Sequence, residues 1–140
     1  MKSEKLTVNF TPTEIAQMDF LTQRGLYPSR SELIRMGVFA IFQKHDDEMK
    51  EFVKPQAAMI GGKHVFGGIG VIMLTKGMLQ ELRDIGEKAS IRVIGRLIIS
   101  NDVSAELLRE TISSVRSFGA IQANGEIMET LAELDGMPRN

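Results

Sequence analysis

The segment Lys5–Phe10 has the sequence K-L-T-V-N-F, in which polar and apolar residues alternate without interruption. In a β-strand this alternation places the apolar side chains on one face and the polar side chains on the other. A lone strand of this length would leave its apolar face and both edges without a partner. Because the next strand-like run begins only at His64, we expect the partner strand to come from a second copy of the chain. The apolar face comprises Leu6, Val8 and Phe10, and the polar face comprises Lys5, Thr7 and Asn9.

Two helices are expected to follow this strand. The segment Thr11–Glu14, T-P-T-E, combines a capping box with a proline at the first helical position. Apolar residues then recur at helical spacing as far as Gly25, which can adopt the left-handed conformation that ends many helices. Ser29 begins a second pattern of this kind, whose apolar face continues to Phe52, and Pro55 should end the helix. The expected order is therefore strand, helix, turn and helix.

Residues 4–44 resemble the ribbon-helix-helix fold of the CopG/Arc/MetJ superfamily of DNA-binding regulators. The resemblance is carried by the alternating strand, by the helix entry at Thr11–Glu14 and by the run P-S-R-S-E-L-I-R at Pro28–Arg35. It implies that two chains pair their strands antiparallel and that the resulting ribbon lies in the major groove of double-stranded DNA. By position, it implies base contacts from Lys5, Thr7 and Asn9, and phosphate contacts from Ser29, Arg30, Ser31 and Lys2.

The chemistry of these residue types agrees with the roles that the resemblance implies. The major groove is wide enough for a two-stranded ribbon, and Asn and Lys side chains can bind the edges of adenine and guanine there. A helix N-terminus presents free N–H groups and a partial positive charge, so it can bind phosphate. A strand face that is merely solvated would leave the unpaired strand and the Ser-Arg-Ser cap without a common explanation.

The composition is that of an ordinary globular protein, with 140 residues of which 43% are hydrophobic and 25% charged. The net charge is −1, and the first fifty residues hold seven basic and seven acidic side chains. The basic footprint of many DNA-binding domains is therefore missing, and we expect weak non-specific binding that depends on a few contacts. No apolar signal region opens the chain, and no apolar run approaches the roughly 20 residues of a membrane helix. We therefore expect a cytoplasmic protein.

The second half of the chain repeats a short pattern. The tetrapeptides H-V-F-G, R-V-I-G and R-S-F-G at residues 64–67, 92–95 and 116–119 each precede apolar residues. Repeated strand–helix units of this length predict parallel strands joined by right-handed crossovers. This region also resembles the C-terminal part of a group of CopG-like bacterial regulators. Helices are predicted at about residues 76–88, 104–115 and 126–134, with Leu79, Leu82, Ile85, Leu107, Leu108, Ile112, Val115, Ile127, Leu131 and Leu134 facing inward.

These patterns predict an α+β protein. An N-terminal ribbon-helix-helix domain at residues 1–53 would form an intertwined dimer. A linker at residues 54–63 would lead to a small α/β domain of repeated strand–helix units at residues 64–140. This second domain is expected to oligomerise, or to bind a small effector or a protein partner.

No catalytic site, metal site or cofactor is predicted. Residues 61–63 and 67–70 are rich in glycine, but neither run fits a phosphate-binding loop motif, and tight turns explain them better. The chain has no Cys and only two His, which are too few soft ligands for a transition-metal site unless several chains pool them. No Ser/His/Asp or Cys/His set is present for nucleophilic catalysis.

The function that best explains the sequence is a homodimeric, sequence-specific DNA-binding transcriptional regulator that acts as a repressor. Two alternatives stay open. In the first, the chain is an antitoxin whose C-terminal domain binds a toxin. In the second, it is an assembly protein for which DNA binding is secondary.

Overall fold

The computed structural model describes residues 3–54 and 64–135, and the chain divides into two units, Met1–His45 and Asp46–Asn140. Residues 46–53 therefore belong with the second unit, although the sequence analysis placed them in the first. Lys2 lies outside the described residues, and so do residues 55–63 of the expected linker. The elements are α1 (Pro12–Gln23) and α2 (Arg30–Lys44) in the first unit, and α3 (Asp46–Val53), β1 (His64–Leu74), α4 (Lys76–Asp84), β2 (Ala89–Ile99), α5 (Ala105–Thr111), β3 (Ile112–Gln122) and α6 (Gly125–Leu134) in the second.

Helix α1 begins and ends as its sequence predicts. The Thr11 hydroxyl accepts the Glu14 N–H at 3.2 Å, and the Glu14 carboxylate accepts the Thr11 N–H at 3.1 Å, which together make the capping box. At the other end Gly25 has φ +77°, the left-handed conformation that glycine adopts without a steric penalty. Its N–H donates to the Thr22 carbonyl at 3.0 Å, and the chain leaves the helix there.

The prediction of one continuous helix from Ser29 towards Pro55 was wrong. Ser29 caps α2 as expected, but α2 ends at Lys44, and His45 leaves the helical conformation with φ −109° and ψ 20°. A new helix, α3, begins at once with three consecutive acidic residues in its first turn. Carboxylates are favourable near a helix N-terminus because the macrodipole is positive there. The uninterrupted apolar spacing therefore spans two helices, and α3 packs against the sheet of the second unit.

Residues 3–11 form neither a helix nor a strand in the single chain. A strand needs a partner to satisfy its backbone N–H and C=O groups. The alternation of Lys5–Phe10 predicts that this partner comes from a second copy of the chain. The antiparallel ribbon therefore stays a prediction.

The second unit is built on a three-stranded parallel sheet in the order β1-β2-β3, which confirms the predicted parallel strand–helix units. Helices α4, α5 and α6 contribute to one core with the sheet, and each fully buried Leu or Ile side chain contributes about 1.5–3 kcal/mol. The core comprises Leu74, Leu79, Leu82, Ala89, Ile91, Val93, Leu97, Ile99, Val103, Ala105, Leu107, Leu108, Ile112, Val115, Ile127 and Leu131.

Helix α4 is shorter than predicted. It ends at Asp84, and Ile85 is the C-cap residue rather than an inward-facing one, with 63% of its surface exposed. Gly86 follows with φ +68°, a left-handed stop that the apolar spacing does not reveal. Helix α6, by contrast, agrees with the prediction to within one residue, because the Asn124 side chain accepts the Ile127 N–H and fixes the start.

Helix α5 also ends earlier than predicted, and an extra residue in β3 explains why the apolar spacing looked helical. The helix stops at Thr111, and both Ile112 and Val115 lie on the strand. Ala89 pairs with Ile112, but the next residue, Ser90, pairs with Ser114, so that Ser113 is bulged out of the register. A bulge places two inward-facing residues three positions apart, which imitates helical spacing.

A row of three glycines crosses the sheet. Gly70, Gly95 and Gly119 are paired in register and all have positive φ angles, of +122°, +142° and +115°. A Cβ on Gly95 would lie 2.1 Å from the Gly70 carbonyl oxygen. The sequence repeat aligns Gly67 with Gly95 and Gly119. This alignment was wrong, because Gly67 pairs with Arg92 and Gly70 is the partner of Gly95.

Candidate nucleic-acid interface

The first unit exposes most of its apolar side chains. Among residues 3–45, Met18 is the only buried side chain, and α2 contributes none. A folded domain normally buries such residues, and contiguous apolar surface marks an interaction site. The first unit alone therefore lacks a core within residues 3–45, and its exposed apolar side chains mark a candidate interaction surface. The exposed large apolar residues are Leu6, Val8, Phe10, Phe20, Leu26, Ile34, Met36, Val38, Phe39, Ile41 and Phe42.

The N-terminal segment shows this most strongly. Leu6 is 86% exposed and Val8 is 60% exposed, although both belong to the face that the sequence assigns to a core. The three proposed base-reading residues, Lys5, Thr7 and Asn9, are exposed as well. The segment is thus accessible on both faces in the single chain, and the grouping of the polar residues into one row stays a prediction.

The N-terminus of α2 has the geometry of an anion site. Ser29 is the N-cap, and its hydroxyl accepts the Glu32 N–H at 3.2 Å. Arg30 and Ser31 are the first two helical residues, whose N–H groups have no acceptor within a helix. These N–H groups and the helix macrodipole attract negative charge. The structure brings Ser29, Arg30 and Ser31 together at this one helix end, as the sequence predicts.

The Arg30 side chain has a partner that the sequence analysis did not identify. Its Nε and Nη2 atoms donate to the two carboxylate oxygens of Asp19 on α1, at 2.7 and 2.8 Å. Hydrogen bonding by Arg30 lowers the pKa of Asp19, and the same contact raises the pKa of Arg30. The ion pair is exposed to solvent and adds no buried surface, but it joins the start of α2 to α1.

This pairing leaves the guanidinium able to bind a second anion. An arginine side chain has five N–H donors, and Asp19 accepts two of them. The remaining donors include both N–H groups of Nη1, on the edge of the guanidinium away from Nε. Asp19 can therefore fix the plane of the Arg30 guanidinium, whose outer edge has no hydrogen-bond acceptor among the residues that the structure describes.

Asp19 lies 11 residues before Arg30, a separation that belongs to no local motif. Sequence reasoning missed it because only the turn between the two helices brings the side chains together. The available signal was the second of the two acids on the first helix, since the other, Glu14, belongs to the capping box, together with an arginine at the start of the second helix.

None of the helices in residues 3–54 and 64–135 is long and apolar enough to span a membrane. Within those two ranges, no three His, Asp or Glu side chains are grouped closely enough to hold a metal ion.

A family model described as "Ribbon-Helix-Helix transcriptional regulator family" matches residues 1–128. Comparisons with curated proteins and with solved structures give no match.

Proposed function

The chain belongs to the ribbon-helix-helix transcriptional regulator family, and from this membership we propose that it is a sequence-specific DNA-binding repressor that acts as a homodimer. The family is one of transcriptional regulators, and membership implies DNA binding and dimerisation in general. The observation that carries the proposal is the uncovered apolar surface of the first unit, which extends from Leu6 on the N-terminal segment to Phe42 on α2.

A second copy of the chain would cover this surface. When two Lys5–Phe10 segments pair antiparallel, each satisfies the backbone groups of the other, and their apolar faces coincide. Leu6, Val8 and Phe10 of both chains then share a core with the exposed apolar residues of α2, such as Val38 and Ile41. The polar faces of both strands point together to the opposite side.

The polar face of the paired strands is spaced to read DNA. Alternate side chains on a strand are about 6.7 Å apart. This distance is close to the rise of two base pairs at about 3.4 Å each. Lys5, Thr7 and Asn9 can therefore reach successive positions along the major groove. Asn can form a bidentate contact with adenine, and Lys can bind the acceptor atoms of guanine.

Phosphate contacts would come from the N-terminus of α2, on both sides of the ribbon. The N–H groups of Arg30 and Ser31 and the outer edge of the Arg30 guanidinium are the donors. Lys2 adds a second basic side chain close to the ribbon in sequence. Few cations take part, which agrees with the neutral balance of the first fifty residues.

We also propose that the second unit joins dimers into larger assemblies. Helices α4–α6 cover one face of the sheet, whereas the other face, against which Phe52 of α3 packs, exposes apolar side chains on β1 and β3. Among them are Ile69, Val71, Met73 and Phe118. Both β1 and β3 are edge strands that can pair with another chain. The packed core of this unit argues against the antitoxin alternative, since a toxin-binding tail often folds only on binding.

Selection from a random pool of double-stranded DNA, combined with the mass measured by light scattering, tests the proposal on the whole chain. The expected result is a short palindromic site and a particle of at least two chains. The particle should be larger than a dimer if the second unit assembles. The proposal fails if no sequence is enriched or if the chain remains a monomer at the concentration used for selection.

A further inference from the structure

Two arginines lie side by side on the sheet face that α4–α6 leave open. Arg92 on β2 and Arg116 on β3 are paired in register, and neighbouring strands are about 4.8 Å apart. Arg96 lies four residues further along β2, and its side chain donates to the Gln122 amide oxygen on β3. The sequences of the three strands contain no Asp or Glu at all. The sheet therefore carries several positive charges with no acidic residue on its strands.

The aromatic ring of Phe52, on α3, holds both guanidinium groups in place. The Arg92 and Arg116 Cζ atoms lie 5.6 and 5.9 Å from the centre of this ring, within the range of a cation–π interaction. The ring of Phe118 meets Phe52 edge-on, with 5.4 Å between the ring centres. Both guanidinium groups thus lie close to the Phe52 ring, and each arginine residue is partly buried.

The two arginine side chains lose part of their hydration in this position. Their Nε atoms are buried and have no hydrogen-bond acceptor among the residues that the structure describes. Burial lowers the pKa of Arg92, and the neighbouring charge of Arg116 lowers it further. Two like charges side by side are unfavourable unless an anion lies between or above them.

Among the acidic residues of α3, Asp46 has a cationic partner other than this pair of arginines. The Asp46 carboxylate lies 2.6 Å from the Lys50 ammonium nitrogen. Glu51 lines a groove with Lys54 and the β1 residue Ile69, on the side of α3 that faces β1. Within residues 64–135, the ion pairs formed by arginine involve Arg83 and Arg109, not the two on this face.

We propose that Arg92 and Arg116 form a binding site for a small oxyanion, the phosphate or carboxylate group of an effector molecule. Guanidinium groups bind such anions through two parallel hydrogen bonds, and the edge formed by the two Nη atoms is the one that remains for the ligand here. The two neighbouring guanidinium groups over the Phe52 ring can together bind several oxygens of one anion. The ligand would neutralise both charges at once.

This site does not depend on the proposed DNA contacts. All of its residues belong to the second unit, and the residues proposed to contact DNA belong to the first. Loss of anion binding therefore leaves the DNA-binding proposal intact, and the reverse also holds.

Nuclear magnetic resonance of the arginine Nε–H groups tests the proposal directly on the whole, ¹⁵N-labelled protein. Burial of the two Nε atoms slows their exchange with water, so their signals should be observable. Inorganic phosphate is titrated in one series and succinate in another, with sodium chloride keeping the ionic strength constant. The variants Arg92→Lys and Arg116→Lys assign the two signals by their disappearance.

We expect the Arg92 and Arg116 signals to shift together and to reach saturation with at least one of the two anions. The signal of Arg109, which is paired with Glu133 at 3.4 Å, should stay in place. The anion that saturates at the lower concentration identifies the class of effector. The proposal is overturned if neither anion causes a saturable shift, or if all arginine signals drift together with concentration.

Thermal unfolding gives a second readout with matched variants. Phosphate or succinate, whichever saturates, should raise the melting temperature of the wild type and of Arg96→Gln, which lowers the charge of the same face by the same amount. It should not raise that of Arg92→Gln or Arg116→Gln. Without added anion these two variants should melt at or above the wild-type temperature, because they remove a like charge from a partly buried pair. An equal response of all four proteins would mean that the face attracts anions without a specific site, and would reject the proposal.

Discussion

Arg30 donates two parallel hydrogen bonds to Asp19, at 2.7 and 2.8 Å, and thereby joins the N-terminus of α2 to α1. An arginine proposed to bind a phosphate is thus held by an acid of its own chain. The carboxylate orients the guanidinium but also adds a negative charge near the proposed phosphate. The consequences of removing either partner can be predicted separately.

We predict that Arg30→Ala weakens binding to all DNA sequences alike. Each phosphate contact contributes about 0.9 to the slope of the logarithm of affinity against the logarithm of salt concentration, so loss of both Arg30 contacts in a dimer should flatten that slope by about 2. Fluorescence anisotropy with specific and random duplexes at several salt concentrations measures it. A loss confined to one base pair of the site would contradict the phosphate role.

The effect of Asp19→Ala on DNA affinity should have opposite signs in the presence and in the absence of the Arg30 side chain. In the wild-type background the variant loses the orientation of Arg30 and should bind DNA more weakly. In an Arg30→Ala background it removes a carboxylate that has lost its partner and should bind DNA more tightly, because a negative charge near a phosphate is repulsive. Equal effects in both backgrounds would show that the two side chains act independently.

The pKa of Asp19 provides a check that needs no DNA. The folded-state pKa is lowered by Arg30, so the pair stabilises the fold above the unfolded-state pKa, which is about 3.9. That contribution is lost as the pH falls through the lower, folded-state value. In Arg30→Ala the carboxyl pKa should return towards its ordinary range, as followed by carbon NMR. An unchanged pKa in that variant would contradict the pairing.

We predict that Asn9→Ala relaxes the sequence preference at one base pair in each half-site. A bidentate contact with a base discriminates by about 1–3 kcal/mol, and the variant should lose that difference while retaining affinity for other sequences. Repeating the DNA selection with the variant measures it. Gln23→Ala, at the end of α1 and away from the proposed ribbon, is the control and should select the wild-type site. An unchanged preference in Asn9→Ala would remove Asn9 from the base contacts.

The sequence was a good guide where short motifs fix the backbone. The capping box of Thr11 and Glu14, the left-handed Gly25 and the Ser29 cap each stand where local chemistry predicts them. It was a poor guide where spacing alone was used, because a helix break at His45 preserves apolar periodicity. A strand bulge has the same effect, since Ser113 makes a strand segment look helical.

The candidate site divides in the same way. A pattern of residue types can suggest Asn9 or Arg30, since their roles depend on local position. It cannot suggest Asp19, which reaches Arg30 only through the turn between two helices. Nor can it suggest the neighbouring Arg92 and Arg116, whose side-by-side position depends on the register of two strands joined through α5.

In the proposed dimer, a side chain that is exposed in the single chain should be essential for dimerisation. Val8 is 60% exposed, yet we expect Val8→Asp to dissociate the first unit, because the ribbon would bury this position in both chains. Burying one valine contributes about 1.5 kcal/mol or more, so two should weaken the dimer by at least roughly a hundredfold. Light scattering over a range of concentrations measures the change.

Thr7→Asp is the matched control for Val8→Asp. It places the same charge on the neighbouring residue, whose side chain belongs to the polar face of the proposed ribbon. The control should remain dimeric, although the added charge should weaken DNA binding. If both variants dissociate equally, or if neither does, the assignment of the two faces is wrong.

The glycine row across the sheet leads to a prediction about the second unit alone. Gly95 has φ +142°, and a Cβ at this position would lie 2.1 Å from the Gly70 carbonyl oxygen. Gly95→Ala therefore combines a strained backbone with an overlap that neighbouring strands cannot relieve without losing their register. We expect the free energy of unfolding to fall by about 3–5 kcal/mol.

Gly77→Ala is the matched control, because Gly77 lies on α4 with no atom within 4 Å of its Cβ position. Alanine is the better helix former, so the control should raise the free energy of unfolding by up to about 1 kcal/mol. Urea unfolding followed by circular dichroism measures both variants, and similar stabilities for the two would show that the glycine row does not fix the register of the sheet.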